Sequence, residues 1–124
     1  MSDSAERLAQ QLTAPLFTVD LAAELAQLRE AEGWRRSGRS SRTLVKEGDL
    51  RVVLIALRAG ARLEEHLAPG RITIHTLNGH LTIRAAEQTV DLPAGQVLTL
   101  ARAIPHDVEA TEESAFLLTI AWPH

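Results

Sequence analysis

The sequence predicts an all-β protein, an antiparallel sandwich or barrel of the jelly-roll type, preceded by a short helical arm. From residue 50 onward, β-branched and apolar residues cluster in short runs that are separated by Gly, Pro and Asn-Gly. Six or more short strands with regular turns are typical of such antiparallel folds. The first forty-odd residues differ, since they are rich in Ala, Leu, Gln and Glu and then in Arg, Ser and Gly.

The composition indicates one soluble domain. The chain has 124 residues, of which 45% are hydrophobic, and no apolar run approaches the roughly 20 residues that span a bilayer. Residues 1–6 lack the basic and apolar regions of a signal peptide. We therefore expect a cytoplasmic protein without a membrane partner.

Net charge, aromatic content and cysteine content limit the kinds of partner and metal ligand that we expect for this chain. The formal net charge is −3, and two Trp, two Phe and no Tyr leave little for base stacking, so no nucleic-acid partner is expected. The chain has no cysteine. Disulfides and thiolate ligands are therefore excluded, and a metal would have to bind histidine, carboxylate or water.

Residues 1–46 are predicted to form an arm that packs on a single barrel formed by residues 47–124. Asp20 is a good N-cap, leucines follow at helical spacing, and Gly33 can end a helix, so a helix is predicted at about 21–32. A shorter helical piece is predicted at 4–12. Residues 34–46 hold five basic residues among Ser and Gly. We interpret them as a flexible connector, with an anion contact by the arginines as the alternative.

Turn residues divide the barrel into predicted strands at 50–57, 62–67, 72–77, 80–85, 88–91, 97–100, 106–110 and 114–122. Asn78-Gly79 predicts a tight hairpin, since both residues tolerate positive φ. The last strand is apolar on nearly both faces. It therefore predicts that the N-terminal helix or a second subunit covers the outer face of the sheet.

Strand alternation places two histidines on opposite faces. Ile72 and Ile74 mark the core face of their strand, which sends His75 outward. His106 shares the apolar face of its strand with Val108. A histidine among inward apolar residues is typical of a pocket.

The register of the strand at 62–67 stays open. Arg62, Glu64 and His66 share one side, while Leu63 and Leu67 lie on the other and compete for the core. If His66 points inward, Glu64 accompanies it.

The order of turns and histidines resembles the two signature motifs of the cupin superfamily. Gly60, His66 and Gly79 stand at places of the first motif, and the pieces Pro93-Ala94-Gly95 and Pro105-His106 add to the likeness. The resemblance covers roughly the last two thirds of the chain. It implies a cupin double-stranded β-helix, that is, a jelly-roll barrel with a pocket, and the homodimer that small barrels of this family commonly form.

The resemblance also implies a reduced metal site. Ala68 stands at the place of the family's second histidine and Ile72 at that of its glutamate, so two of the four usual ligands remain. His66 and His106, with Glu64 as a third, are the candidate ligands of a divalent transition metal such as Fe, Mn, Ni or Zn. Two imidazoles alone bind such an ion poorly, so no cofactor is certain.

Three functions agree with these residues. The first is a small-molecule binding or sensing barrel with a degenerate metal site. The alternatives are a metal-dependent cupin oxygenase or isomerase that uses two histidines and a carboxylate, and a metal-free enzyme in which His66 or His106 is the acid or base. The predicted ligand-binding residues are Arg62, Glu64, His66, Ile72, Ile74, His106 and Val108.

Overall fold

The computed structural model describes residues 14–122, apart from the side chain of His66. Two helices come first, α1 (Leu21–Leu28) and α2 (Glu32–Ser37). Nine strands follow: β1 (Arg39–Lys46), β2 (Leu50–Leu57), β3 (Arg62–His66), β4 (Arg71–Asn78), β5 (His80–Ala85), β6 (Gln88–Pro93), β7 (Val97–Leu100), β8 (His106–Ala110) and β9 (Ser114–Ala121). The helical piece predicted at 4–12 lies outside the described residues.

The strands form two antiparallel sheets that enclose one apolar core. Sheet A has the order β1-β2-β9-β4-β7, and sheet B has the order β3-β8-β5-β6. Ile55, Ile74 and Phe116 from sheet A pack in the same buried cluster as Leu81 and Val108 from sheet B. The predicted jelly-roll barrel is therefore confirmed.

A second apolar core lies on the outer face of sheet A. Leu54 of β2 and Ala115 of β9 turn away from the barrel and are buried in one cluster with Leu25, Leu28 and Trp34 of the two helices. Strands buried on both faces read as continuous apolar runs, which is why β2 and β9 show little alternation. The chain's own helices thus pack on the outer face of sheet A, over β2 and the start of β9.

The helical arm is divided into two helices. The carboxylate of Asp20 accepts a hydrogen bond from the amide of Ala23 at 3.2 Å and so caps α1. α1 ends at Leu28, before the predicted end, and α2 ends at Gly38, which adopts the left-handed conformation with a φ of 73°. No helix within residues 14–122 is long and apolar enough to cross a membrane.

The segment interpreted as a flexible connector is instead α2 followed by an edge strand. β1 pairs with β2 from residue 39 to residue 46, so these residues belong to the barrel rather than to the arm. Of its side chains only Leu44 is buried, and Arg42 reaches α1, where it bonds Glu24 and, at 2.6 Å, Gln27. The polar composition that indicated a loop is the composition of an edge strand.

The turn at Asn78-Gly79 is not a hairpin, because it carries the chain from sheet A to sheet B. β4 and β5 lie in different sheets, and Gly79 has a φ of 83°. The two-residue hairpin turn is Ala86-Glu87, which joins β5 to β6 with φ values of 52° and 61°. Sequence reasoning missed it because neither residue is the Gly or Asn that favours positive φ.

Candidate functional site

His106 lies inside the barrel at the first residue of β8. It is 2% exposed and shares the core face with Val108 and Ala110, as alternation predicts. Its Nδ1 lies 2.9 Å from the carbonyl oxygen of Ile104. Because a carbonyl oxygen only accepts, Nδ1 carries the proton, and in the neutral ring Nε2 holds the lone pair.

A β-bulge in β3 decides where the other predicted residues of that strand lie. Leu63 pairs with Val108 and packs on the core, and the next pairing joins His66 to His106. One extra residue in β3 breaks the alternation that placed Glu64 and His66 on one face. Glu64 is exposed. The backbone of His66 lies beside that of His106, while its side chain is outside the described part of the structure.

Arg62 lies on the outer face of sheet B, away from the barrel interior. Its guanidinium donates to Asp107 at 3.1 Å, and Arg84 donates to the other carboxylate oxygen of Asp107 at 3.1 Å. Arg84 also donates to Glu109 at 3.0 Å. Hydrogen bonds to Asp107 first and then to Glu109 raise the pKa of Arg84 above its usual value. Arg62, a predicted ligand-binding residue, is therefore part of a cross-strand ion-pair cluster.

Three predicted pocket residues face the barrel interior but are packed among other core side chains: Ile72, Ile74 and Val108. They are 1%, 1% and 2% exposed, so other side chains fill the space around them. Their assignment as ligand contacts stays a prediction. His75, which the sequence placed on the opposite face from Ile74, is half-buried on β4.

Solvent reaches a different part of the inner surface. Val53 of β2 and Leu118 and Ile120 of β9 pack on the core but stay only partly buried. Both strands have neighbours on each side in sheet A, so exposure at a sheet edge does not explain this. The barrel is therefore open at the end where β2 begins and β9 ends.

The open end is also the end that carries His106. The β3–β4 and β7–β8 loops connect this end of sheet A to the end of sheet B where β8 begins. The amide of Ala103 in one loop donates to the carbonyl of Ala68 in the other at 3.1 Å, which ties the two loops together. The solvent-accessible apolar wall and the buried imidazole of His106 therefore lie at the same open end of the barrel, which we call the mouth.

Arg51 and Trp122 lie at this mouth, and sequence reasoning did not single them out. Arg51 pairs with Ile120 and so shares the inner face of β2 with Val53. Its guanidinium carbon lies 5.6 Å from the centroid of the Trp122 ring, a cation–π contact. Its Nε is buried without a hydrogen-bond partner among the residues described. Arg51 lies two residues before Val53, and this spacing was the signal that both side chains share the inner face. The signal was hard to see because the rest of Leu50–Leu57 is apolar and shows no alternation.

The described side chains do not supply the four ligands of the metal site that the resemblance implies. Ala68 and Ile72, at the places of the family's second histidine and glutamate, are buried in the apolar core. Glu64, the predicted third ligand, is exposed. Among the described side chains, no group of three His, Cys, Asp or Glu could hold an ion. His66 and His106 remain, whereas catalytic centres generally hold three protein ligands plus water.

No protein-family model and no curated protein matches the sequence. Solved structures do match the fold. A conserved protein of unknown function from Streptococcus pyogenes is 24% identical, the match covers 91% of this chain and 93% of that one, and the TM-score is 0.70. A cupin 2 conserved barrel domain protein from Leptotrichia buccalis is 27% identical over 70% of this chain and 42% of that one, with a TM-score of 0.67.

A mutant of salicylate 1,2-dioxygenase from Pseudoaminobacter salicylatoxidans is 14% identical, the match covers 89% of this chain, and the TM-score is 0.78. The chain spans 36% of that dioxygenase, so the likeness concerns only part of that protein and shows the fold alone. With the two sheets described above, these likenesses identify the chain as a small protein with the cupin jelly-roll fold.

Proposed function

We propose that the protein binds a small molecule at the mouth of the barrel, with His106 as the polar group that recognises it. The observation that carries this proposal is the partly exposed inner wall of Val53, Leu118 and Ile120 at the end that holds a buried imidazole. Ligand sites are typically concave and mostly apolar, with a few placed polar groups. The mouth of this barrel has that composition.

The hydrogen bond to Ile104 determines what His106 offers a ligand. With Nδ1 donating to the main chain, Nε2 of the neutral ring is an acceptor rather than a donor, and an O–H or N–H group is what we propose that it recognises in a ligand. Protonation turns Nε2 into a donor instead. His66, the register partner of His106, is the second histidine that we assign to this role.

The same hydrogen bond favours a second candidate function, acid–base catalysis on the bound molecule. A general base needs one nitrogen held and the other able to take a proton, and the bond to Ile104 holds His106 in that tautomer. A substrate whose reaction rate follows the protonation of one histidine and is insensitive to chelators would establish this function.

Histidine ring signals in nuclear magnetic resonance spectra test the proposal directly. Benzyl alcohol, benzoate and benzylamine serve as neutral, anionic and cationic probes, and we expect at least one to shift the His106 ring signal saturably. His106→Phe keeps an aromatic ring but removes the hydrogen bond, so affinity should fall roughly two- to tenfold. His75→Asn, on the other face of sheet A, is the matched control and should bind normally. Probe shifts confined to the outside of the barrel would contradict the proposal.

Elemental analysis of the purified protein separates this function from metal-dependent chemistry. We expect metal well below one ion per chain and probe binding that a chelator does not change. Near-stoichiometric iron, manganese, nickel or zinc that disappears in His106→Phe would overturn the metal-free proposal.

A further inference from the structure

A second concave surface lies at the rim of the same mouth. It is a cavity of about 670 Å³ lined by Arg71, Ala101, Arg102, Ala121 and Trp122. Arg71 and Ala121 are register partners on β4 and β9, while Ala101 and Arg102 directly follow β7. The ends of three neighbouring strands of sheet A therefore form this surface, which we call the rim cavity.

The rim cavity combines positive charge with an aromatic surface. Both of its charged lining residues are arginines, and none of the described residues that line it is acidic. Arg71 makes one long hydrogen bond, to the hydroxyl of Thr99 at 3.4 Å, and both arginines are exposed. Their guanidinium groups are therefore available to an incoming anion.

Trp122 gives the rim cavity its apolar side. Its indole is held by the cation–π contact with Arg51, whose guanidinium carbon lies 5.6 Å from the ring centroid. Ala101 and Ala121 are too small to fill the space beside the ring. A flat apolar group can therefore pack there, next to the two arginines.

We propose that the rim cavity binds a small organic acid, with its carboxylate on Arg71 and Arg102 and its flat apolar part against Trp122. Guanidinium groups match the two oxygens of a carboxylate, and the indole and alanine surfaces favour a ligand with more than a bare anion. The inference goes beyond the proposed function, because Arg71 and Ala121 lie on the opposite face of sheet A from the inward Ile72 and Ile120, so the rim cavity is a second site beside the mouth.

The indole N–H signals of the protein report on this site. The chain has two tryptophans, so the Trp34→Phe variant assigns the remaining indole signal to Trp122. We expect benzoate to shift that signal saturably, benzyl alcohol to bind at least about tenfold more weakly, and inorganic phosphate to bind more weakly than benzoate.

Matched arginine variants localise the binding. Arg71→Gln and Arg102→Gln should each weaken benzoate binding roughly three- to tenfold, since each removes one charged donor at an exposed site. Arg36→Gln removes the same charge from an exposed ion pair on α2 and should leave the affinity unchanged. Both site variants are exposed, so unaltered melting curves are expected.

Separate readouts distinguish the rim cavity from the barrel. A benzoate shift at Trp122, with none of the three probes shifting the His106 signal, supports the rim cavity and contradicts the proposed function. Saturable probe shifts at His106 with none at Trp122, unaffected by the arginine variants, overturn the rim cavity and leave the proposed function. Phosphate that binds as tightly as benzoate overturns the organic-acid assignment. No saturable Trp122 shift up to roughly 10 mM benzoate overturns the inference altogether.

Discussion

Asp107 links three strands of sheet B through its two carboxylate oxygens. One oxygen accepts from Arg62 on β3 and the other from Arg84 on β5, and the Asp107 side chain is only 9% exposed. Asp107→Asn keeps the size but removes the charge, so we expect the free energy of unfolding to fall by about 1–2 kcal/mol in urea denaturation. Arg62→Gln, at a 51% exposed side chain, should cost less than about 0.5 kcal/mol. Equal losses would contradict this view of the cluster.

The direction of the Arg84 pKa shift determines how the stability of this ion-pair cluster changes with pH. Hydrogen bonds to Asp107 and then Glu109 raise it. A raised pKa in the folded protein means that the stabilisation is complete below the unfolded pKa and is lost only as pH rises through the folded value, and both lie far above neutral pH. The difference between wild type and Asp107→Asn should therefore be the same at pH 7 and pH 9, roughly, since Arg84 stays charged at both.

Two glycines with the same backbone conformation allow strain and collision to be separated. Gly79 has a φ of 83°, and an added Cβ would lie 2.2 Å from Ser114 Oγ and 2.4 Å from the carbonyl oxygen of Glu113. Gly95 has a φ of 88°, and a Cβ added there would meet no described atom within 4 Å beyond its chain neighbours. Gly95→Ala should cost about 1–2 kcal/mol of unfolding free energy from left-handed strain alone, and Gly79→Ala about 1–3 kcal/mol more. Similar costs in urea denaturation would show that the sheet crossing relaxes easily.

At the level of elements, the sequence predicted strands β2 to β9 but not β1. Predicted and observed strands overlap wherever apolar runs end at Gly or Pro. β1 carries Arg and Ser because it is an edge strand, and these residues also occur in loops, so composition alone does not distinguish the two. Pairing with β2 decides the matter, and pairing is a long-range property.

The candidate site was predictable only where alternation is unbroken. His106 precedes Val108 in a regular strand, so its inward position followed from spacing. The bulge in β3 changes the register between Leu63 and His66, and no local signal marks it, so Glu64 and Arg62 were placed in the pocket. Arg51 was overlooked because its contact with Trp122 joins different strands.

The β5–β6 hairpin has a turn that its residues do not favour. Ala86 and Glu87 both have positive φ, at 52° and 61°, although left-handed backbone is unfavourable for residues with a Cβ. The double change Ala86→Asn and Glu87→Gly supplies the residues preferred in such turns. We expect it to raise the free energy of unfolding by about 1 kcal/mol, measured by urea denaturation. A loss of stability would indicate that contacts of the present side chains outweigh the strain.

At the scale of the whole molecule, sheet A separates two apolar cores, and a different layer packs on each face of the sheet. The barrel core lies between the sheets, whereas the outer core depends on α1 and α2. Leu28, 2% exposed, is a main contact of α1 with the sheet, so Leu28→Ala should lower the free energy of unfolding by about 2–4 kcal/mol in thermal or urea denaturation. Leu16→Ala, at an exposed leucine, should change it by less than about 0.5 kcal/mol.

The same substitution bears on the homodimer that the sequence predicts. The apolar outer face of β9 predicted a cover by the N-terminal helix or by a second subunit, and α1 and α2 pack on the start of β9 and on β2, with Ala115 and Leu54 fully buried. Weakening α1 exposes that face, and contiguous exposed apolar surface favours association. Sedimentation velocity over a series of concentrations should therefore show more association for Leu28→Ala than for wild type or Leu16→Ala. An interface on the outer face of sheet A would change when α1 is loosened. If the wild type is a dimer and Leu28→Ala leaves it unchanged, the subunits therefore pair through another surface.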